Sequence, residues 1–150
     1  MKNDRKDDAE NHAKKYNFED LGNRVIDVAI KVAKINEGAL FVIGNNSKYD
    51  LHFPNFFNKN AISVFDEGID KVLVKLATID GAVIIDDEGI IQAYGARILN
   101  TDTLKGFGTR HAAARGASLA NDMVILVSEE DNLIRVFREG NIGLELKPQQ

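Results

Sequence analysis

The chain has 150 residues, of which 44% are hydrophobic and 28% are charged, with twelve glycines and two prolines, a composition typical of one globular domain. No apolar run reaches the roughly 18 residues of a membrane helix and no apolar segment follows the N-terminus, so we expect a cytoplasmic location and no membrane partner within this chain. Because cysteine is absent and the net charge is −4, disulfides, thiolate chemistry and a basic nucleic-acid-binding surface are excluded.

The first residues of the chain are far more polar than the rest. Residues 1–17 form a charged leader, and residues 18–150 are predicted to form a single domain. Apolar residues recur at steps of three and four over residues 21–35, which predicts an amphipathic helix that ends near Glu37 and Gly38. This helix is expected to cover a sheet.

The next segment alternates between predicted strands and less regular chain. Residues 39–43 are uniformly apolar and are predicted as a strand buried on both faces. Residues 45–60 contain four aromatic side chains without a clear period, which favours an irregular loop. Residues 61–65 are predicted as a strand, and a second helix begins with Asp66 and Glu67 and ends before Asp80-Gly81.

The second half of the chain has the patterns of a hairpin, a helix and further strands. Residues 82–85 and 90–94 flank Asp-Asp-Glu-Gly, which predicts a hairpin whose second strand continues through 95–99. A helix rich in small residues is predicted over 109–121. The remaining predicted strands are 123–127, 133–137 and an edge strand at 141–146. The order of elements indicates an α/β fold in which helices flank a mixed β-sheet.

Three short runs at the ends of predicted elements combine residues suited to chemistry. They are Asp80-Gly81-Ala82, Gly108-Thr109-Arg110-His111 and Ser128-Glu129-Glu130. Ends of elements are where sheet proteins place ligands, because side chains and backbone groups there are free to face a cleft.

The run at 108–111 suggests an anion site at the start of a helix. A helix N-terminus carries partial positive charge and unpaired N–H groups, so Arg110 and His111 in the first turn are locally unfavourable by up to about 1 kcal/mol. A phosphate would compensate by binding the N–H groups, the Thr109 hydroxyl and the guanidinium. The alternative is that Thr109 is only an N-cap and Arg110 pairs with a nearby acid.

The two acidic runs also have two interpretations each. Asp80 can hold a hard cation beside a glycine that admits a phosphate chain, or Asp80-Gly81 can simply end a helix in a tight turn. Ser128 can donate to phosphate while a following glutamate completes the shell of a cation, or the run can be a solvated turn.

Several enzyme classes are excluded or disfavoured by their missing motifs. The chain has no GxxxxGK[ST] phosphate loop and no HExxH, and His111 stands where a dinucleotide fingerprint needs its third glycine. Three histidines in separate segments disfavour a zinc cage. A Ser-His-Asp hydrolase is disfavoured because Ser128 lacks a glycine-flanked elbow.

The three runs, in this order and at these intervals, resemble the motifs of the diadenylate cyclase domain. The resemblance covers about residues 18–137 and includes the strand before Gly44, the segment leading into the second helix and the strand after Asp80-Gly81. Three motifs in register are more specific than any one of them. The resemblance implies the corresponding α/β fold and an enzyme that joins two molecules of ATP into cyclic di-AMP.

Residue roles follow from the resemblance by position. It implies that Asp80 binds a divalent metal, Mn²⁺ or Mg²⁺, and helps to activate the attacking ribose 3′-hydroxyl. Glu130, and less surely Glu129, would assist the metal. Asp80, Arg110 and His111 are thus the implied catalytic residues. The implied ATP contacts are the pocket-lining Gly81 and Ala82, Leu99 near adenine, Thr109, Arg110 and His111 on the triphosphate, and Ser128 on a phosphate.

One position departs from the family pattern. The second motif of the family is commonly Arg-His-Arg, and its third position here is Ala112. A phosphate contact is then either missing or supplied by Arg115. A nucleotide-binding module that does not synthesise cyclic di-AMP is therefore one alternative, and an oligomerising scaffold without a ligand is another.

The reaction also implies a partner. Each domain would hold one ATP, whereas the product contains two phosphodiester bonds. Two copies of the domain must therefore face each other, with each 3′-oxygen in line with the opposite α-phosphorus.

Overall fold

A computed structural model of the protein describes residues 17–52, 54–55, 61–99, 101–102, 108–121 and 123–148. The predicted leader lies outside the described residues except for Asn17. No helix in these ranges has both the length and the apolar character needed to cross a membrane. The elements, in chain order, are α1 (Phe18–Lys34), β1 (Ala39–Ile43), β2 (Tyr49–Leu51), α2 (Ile69–Thr78), β3 (Ala82–Ile85), β4 (Ile91–Ile98), α3 (Thr109–Ala120), β5 (Met123–Val127), β6 (Ile134–Arg138) and β7 (Asn141–Leu146).

The strands form one mixed sheet in the order β2-β4-β3-β1-β5-β6-β7. β1 and β3 at its centre are parallel, and the other neighbouring strands are antiparallel. The parallel pair is connected through α2, as expected for a crossover between parallel strands. The prediction of an α/β fold with helices flanking a mixed sheet is confirmed.

The two faces of the sheet are covered by different helices. Along β1, Phe41 and Ile43 belong to the core shared with α1 and α2, whereas Leu40 and Val42 belong to the core shared with α3. This division follows the alternation of side chains along a strand. Burial of each large apolar side chain contributes about 2 kcal/mol, so a central strand with no exposed side chain anchors both layers.

The predicted end of the first helix and the predicted start of the second are each displaced by a few residues. α1 ends at Lys34 rather than near Glu37, because Asn36 adopts a left-handed conformation with φ of 58°. α2 begins at Ile69 rather than Asp66, because Gly68 has φ of 78° and the Asp66 carboxylate instead accepts a hydrogen bond from Ser63 N–H at 3.0 Å. In both cases a local turn competes with the apolar period.

The segment between β1 and α2 contains two further corrections. Residues 49–51, within the predicted irregular loop, form strand β2 against β4. Residues 61–65, predicted as a strand, make only one bridge, between Ser63 and Ile90, and then turn. The turn is supported by Phe65 N–H, which donates to Ser63 Oγ at 3.0 Å. The hairpin between β3 and β4 and the edge strand β7 are confirmed.

A cluster of charges joins α1 to α2. Arg24 and Lys31 of α1 both bind the carboxylate of Asp70 in α2, and Arg24 Nε also donates to the Val64 carbonyl at 2.7 Å. The hydrogen bond from Arg24, followed by that from Lys31, holds the pKa of Asp70 below its usual value of 3.8. The carboxylate form is therefore favoured by folding.

Asp70→Asn is expected to lower the free energy of unfolding by about 1 kcal/mol at neutral pH, since it removes the charge that meets two cations. A lowered folded-state pKa stabilises the protein above the unfolded-state pKa, and this contribution is lost as pH falls through the folded-state value. The difference between wild type and variant should thus shrink below about pH 4. Urea unfolding at several pH values measures it.

The matched control is Asp50→Asn, because Asp50 pairs with Arg97 where both side chains are more than half exposed. This control should change stability little at any pH. Equal urea midpoints for wild type and Asp70→Asn at neutral pH would contradict the assigned stabilisation.

Candidate active site

The sheet topology brings the ends of three elements to one edge. Ala82 at the start of β3 lies beside Leu40 near the start of β1, because these strands are parallel. Val127 at the end of β5 pairs with Ala39 at the start of β1, because those strands are antiparallel. Asp80-Gly81 before β3 and Ser128 after β5 consequently emerge at the same edge.

Two adjoining cavities lie at this edge below the start of α3. The polar cavity, of about 380 Å³, is lined by Asp80, Gly108, Thr109, Arg110, His111, Leu126, Ser128, Glu129 and Glu130. The apolar cavity, of about 260 Å³, is lined by Leu40, Asp80, Gly81, Ala82, Ala96, Arg97, Ile98, Thr101, Thr109, Arg110 and Ala113. Asp80, Thr109 and Arg110 line both cavities, so the two form one continuous cleft. The three sequence runs meet in it.

The N-terminus of α3 borders this cleft, and among the described residues no side chain caps it. Its N-cap is Gly108, which has no side chain to accept from the first-turn N–H groups, and no acidic residue lies in the first turn. By contrast, α1 is capped by Asn17, whose side chain accepts from Asp20 N–H at 2.8 Å. The suggestion that Thr109 is an N-cap is wrong, since Thr109 is the first helical residue. The start of α3 can therefore accept an anion.

Arg110 has only a weak counter-charge within the described residues. Its Nη1 lies 3.8 Å from Glu129 Oε1, and the two side chains are 34% and 56% exposed. Glu129 Oε1 also accepts a hydrogen bond from Gly38 N–H at 3.2 Å. Arg110 thus does pair with a nearby acid, as the alternative suggested, but only through this long contact with Glu129. Such an exposed pair contributes little energy and leaves the guanidinium able to bind another anion.

Asp80 and Glu130 present carboxylates to the polar cavity. Within the described residues, neither side chain has a hydrogen bond or an ion pair. No group of three or more His, Cys, Asp or Glu side chains in those residues is arranged to hold a metal. Two carboxylates fit Mg²⁺ or Mn²⁺, because these cations often take one or two protein carboxylates and complete their shell with phosphates and water.

His111 is held as a neutral side chain in the wall of the polar cavity. It is 9% exposed, packs edge-on against Phe137 with ring centroids 6.4 Å apart, and has Nε2 3.2 Å from Arg135 Nη1. Burial, and then the positive charge of Arg135, hold the pKa of His111 below its usual 6.5 despite acidic neighbours. Because arginine can only donate, Nε2 accepts and the ring proton lies on Nδ1.

Arg135, which the sequence analysis did not identify, links both sides of the polar cavity. Its guanidinium is buried and contacts His111 at the start of α3, Asp131 after the Ser128–Glu130 run at 2.6 Å, and Glu145 of β7 at 3.2 Å. The signal available in the sequence was a charged residue between the apolar residues of the predicted strand 133–137.

Four further predicted residues occupy different positions relative to the cleft. Gly81 lines the apolar cavity. Its φ is 119°, and a Cβ added to it would lie 2.5 Å from the Gly95 carbonyl carbon of β4, so the backbone of β4 leaves room only for glycine at position 81. Ala82 is buried beside it. Ser128 is buried and its side chain hydrogen-bonds Asp131. Leu99 is 48% exposed and lies outside the lining of both cavities, next to Ile98.

Arg115 does not occupy the place left by Ala112. Its Nε lies 3.1 Å from Asp102 Oδ2, and it lines neither cavity. Asp102 is in turn tied to the same helix, since its N–H donates to the Ala112 carbonyl at 2.9 Å. Within the described residues, Arg110 is therefore the arginine that lines both the polar and the apolar cavity.

The chain is similar to one known family, to curated relatives and to solved structures. The family model DAC, described as DisA bacterial checkpoint controller nucleotide-binding, matches residues 27–142. A diadenylate cyclase of Haloferax volcanii is 34% identical over 144 residues, covering 83% of this chain and 52% of the relative. A diadenylate cyclase of Methanocaldococcus jannaschii is 35% identical over 122 residues, covering 75% and 39%. The chain thus spans about half the length of these relatives or less.

Two solved structures have a similar fold. A double mutant of DacA from Staphylococcus aureus has a TM-score of 0.58 and 26% identity, with 83% of this chain and 85% of that chain covered. A hypothetical membrane spanning protein from Bacillus cereus has a TM-score of 0.61 and 19% identity, with 81% and 61% covered. The second likeness concerns the fold alone.

His111 is expected to be mainly neutral at pH 7 with its proton on Nδ1, because burial holds its pKa below the usual 6.5. A lowered folded-state pKa means that stability falls as pH drops below the unfolded-state value, since the unfolded chain then binds the proton more readily. Long-range ¹H–¹⁵N correlation spectra identify the tautomer and its titration. His111→Gln assigns the signal and should lose less stability than wild type on acidification. An Nε2-protonated or charged ring at pH 7 would contradict this arrangement.

Proposed function

The chain belongs to the DAC family, whose curated relatives are named diadenylate cyclases, and we propose that it condenses two ATP into cyclic di-AMP and two pyrophosphates. The main support is the convergence of the Asp80, Gly108–His111 and Ser128–Glu130 runs in one cleft. The runs are far apart in the sequence, and the pairing of β1 with β3 and β5 places Asp80 and Ser128 at one edge of the sheet. A cytosolic location stays a prediction.

The shape and charge of the cleft support a division of ATP between its two cavities. The apolar cavity is lined by small and aliphatic side chains suited to a base, and we place adenine there with Leu99 at its outer edge. The triphosphate would lie in the polar cavity at the open start of α3, bound by Thr109, Arg110 and Ser128. Gly81 and Ala82 would line the junction of nucleotide and sheet.

Charge neutralisation would be shared between a metal ion and Arg110. Asp80 and Glu130 are the residues that would hold Mg²⁺ or Mn²⁺, which when bound supplies positive charge for the phosphates and lowers the pKa of the attacking hydroxyl. Arg110 would meet the negative charge that develops on the phosphoryl oxygens. His111, being neutral, would orient the start of α3 and donate a hydrogen bond from Nδ1 instead of supplying a positive charge.

The bond changes require two copies of the chain. Each ribose 3′-oxygen loses its proton and forms a bond to the α-phosphorus of the opposite ATP, while the bond from that phosphorus to the pyrophosphate group breaks. Asp80 would assist removal of the proton. Since one cleft holds one nucleotide, the second copy supplies the second nucleotide in a facing homodimer.

Asp80→Asn is expected to abolish formation of cyclic di-AMP and to leave the fold intact, because the Asp80 side chain is exposed and makes no hydrogen bond or ion pair with the described residues. Chromatography of nucleotides after incubation with ATP and Mn²⁺ measures the product, and circular dichroism reports the fold. Asp87→Asn, in the distant hairpin between β3 and β4, is the matched control and should retain activity.

The same assay separates the alternatives. ATP binding by the wild type without product identifies a nucleotide-binding module, which the departure at Ala112 motivates. A protein that neither makes product nor gains thermal stability from ATP contradicts the proposal and favours a scaffold. A ligand at one hundred times its Kd would stabilise the fold by about 2.7 kcal/mol.

Specific activity is expected to rise with protein concentration until the facing dimer is saturated, because a single copy cannot complete both bonds. Sedimentation under the same conditions gives the fraction of dimer. Adding excess Asp80→Asn protein to wild type should suppress product, since mixed dimers lack one functional cleft, whereas excess Asp87→Asn should not. Constant specific activity in samples that sediment as monomer would contradict the dimer.

A further inference from the structure

Gly38, which lies between α1 and β1, is in direct contact with the guanidinium of Arg110. A Cβ added at Gly38 would lie 1.8 Å from Arg110 Nη1, 3.1 Å from its Cζ and 3.0 Å from Glu129 Cγ. Gly38 N–H also donates to Glu129 Oε1 at 3.2 Å. Gly38 thus donates a hydrogen bond to Glu129, and the Arg110 guanidinium packs against its Cα in the space that a side chain would occupy.

The backbone of Gly38 does not itself require glycine. Its φ is not among the positive values, in contrast to Gly44 and Gly81. The three heavy atoms nearest to a Cβ at this position belong to the side chains of Arg110 and Glu129. The requirement for glycine is therefore steric, and it comes from two residues of the cleft rather than from the fold.

A methyl group at Gly38 would be accommodated by movement of Arg110. The nearest obstacle is the end of a long, partly exposed side chain, whereas ordinary van der Waals contact begins at 3.4 Å. The guanidinium would have to shift by about 1.5 Å or more. Displacement of a catalytic group by about 1 Å can reduce a rate by up to 100-fold.

We propose that Gly38 is a positioning residue for Arg110. The space left by its missing side chain, called the Gly38 seat below, holds the Arg110 guanidinium at the junction of the two cavities. The seat explains why Arg110 remains in the cleft although Glu129 is 3.8 Å away and both side chains are partly exposed. It keeps the guanidinium close to the Glu129 carboxylate, which Gly38 N–H holds in place by a hydrogen bond. The N–H donors of Arg110 stay available for a phosphate. The role in catalysis rests on the proposed function, whereas the seat itself does not.

The test compares Gly38→Ala with Gly143→Ala. Gly143 also has no positive φ, and its added Cβ would meet nothing nearer than the Val136 carbonyl at 3.9 Å. Both variants should unfold close to the wild-type temperature, since alanine is tolerated where the backbone permits it. Gly38→Ala alone should weaken ATP binding about tenfold and lower kcat/KM by up to about 100-fold. Titration calorimetry and steady-state product formation measure these effects.

A double-mutant cycle tests whether the effect passes through Arg110. Gly38→Ala should weaken ATP binding in the wild-type background and have no further effect in Arg110→Ala, because the displaced group is then absent. Wild-type ATP affinity in Gly38→Ala, or effects of the two substitutions that add fully, would overturn the proposal. A merely structural role for Gly38 would instead lower the unfolding temperature in both backgrounds.

A measurement without nucleotide separates this inference from the proposed function. The ¹H–¹⁵N signal of Arg110 Nε, assigned with Arg110→Ala, should shift in Gly38→Ala and stay in place in Gly143→Ala. A shift together with absence of ATP binding in the wild type would retain the seat and reject the cyclase. An unchanged Arg110 signal in Gly38→Ala would reject the seat whatever the activity.

Discussion

The pairing of β1 with β3 on one side and β5 on the other is the constraint on which the rest of the structure depends. Leu40 beside Ala82 and Ala39 opposite Val127 place the start of two strands and the end of a third at one edge. Strands β1, β3 and β5 have no exposed side chains, so a shift of register by one residue would exchange the side chains facing α1 with those facing α3. The position of the cleft is therefore determined by the same strand register that packs the core.

The charges of the cleft differ from the charges that hold the fold. Asp70 is bound by two cations, and buried Arg135 contacts two carboxylates and His111. In the cleft, the Asp80 carboxylate has no partner among the described residues, and Arg110 has a long contact only. The start of α3 lacks a side-chain cap. Groups left incompletely satisfied in this way are available to a charged ligand.

Glycine has two distinct reasons for its presence at the cleft. At Gly81 the backbone of β4 approaches so closely, with φ of 119°, that the fold itself excludes a side chain. At Gly38 the backbone is permissive, and the exclusion comes from the Arg110 and Glu129 side chains. The first requirement belongs to strand pairing and the second to the arrangement of the cleft. The backbone φ and the identity of the neighbouring atoms distinguish the two cases.

The sequence by itself determined the α/β architecture, most strands, the small-residue helix α3 and the three runs that define the cleft, because hydrophobic period and motif composition are local properties. The tertiary structure alone decided the helix ends at Asn36 and Gly68, where single-residue conformations overrode the period. It also decided the pairing of β2 with β4 in place of a strand at 61–65. Strand pairing joins distant segments, so local pattern does not specify it.

The same distinction applies to the site. Asp80, Thr109, Arg110 and Ser128 were predicted from their motifs and line the cleft. The environment of His111, by contrast, depends on Arg135, 24 residues further along the chain. The contact between Gly38 and Glu129 spans 91 residues. Burial and side-chain contact change the pKa of one group and the space around another only after the sheet has brought these segments together. For this reason the sequence predicted which side chains are candidates for catalysis or binding, and the fold decided their charge, their orientation and the space around them.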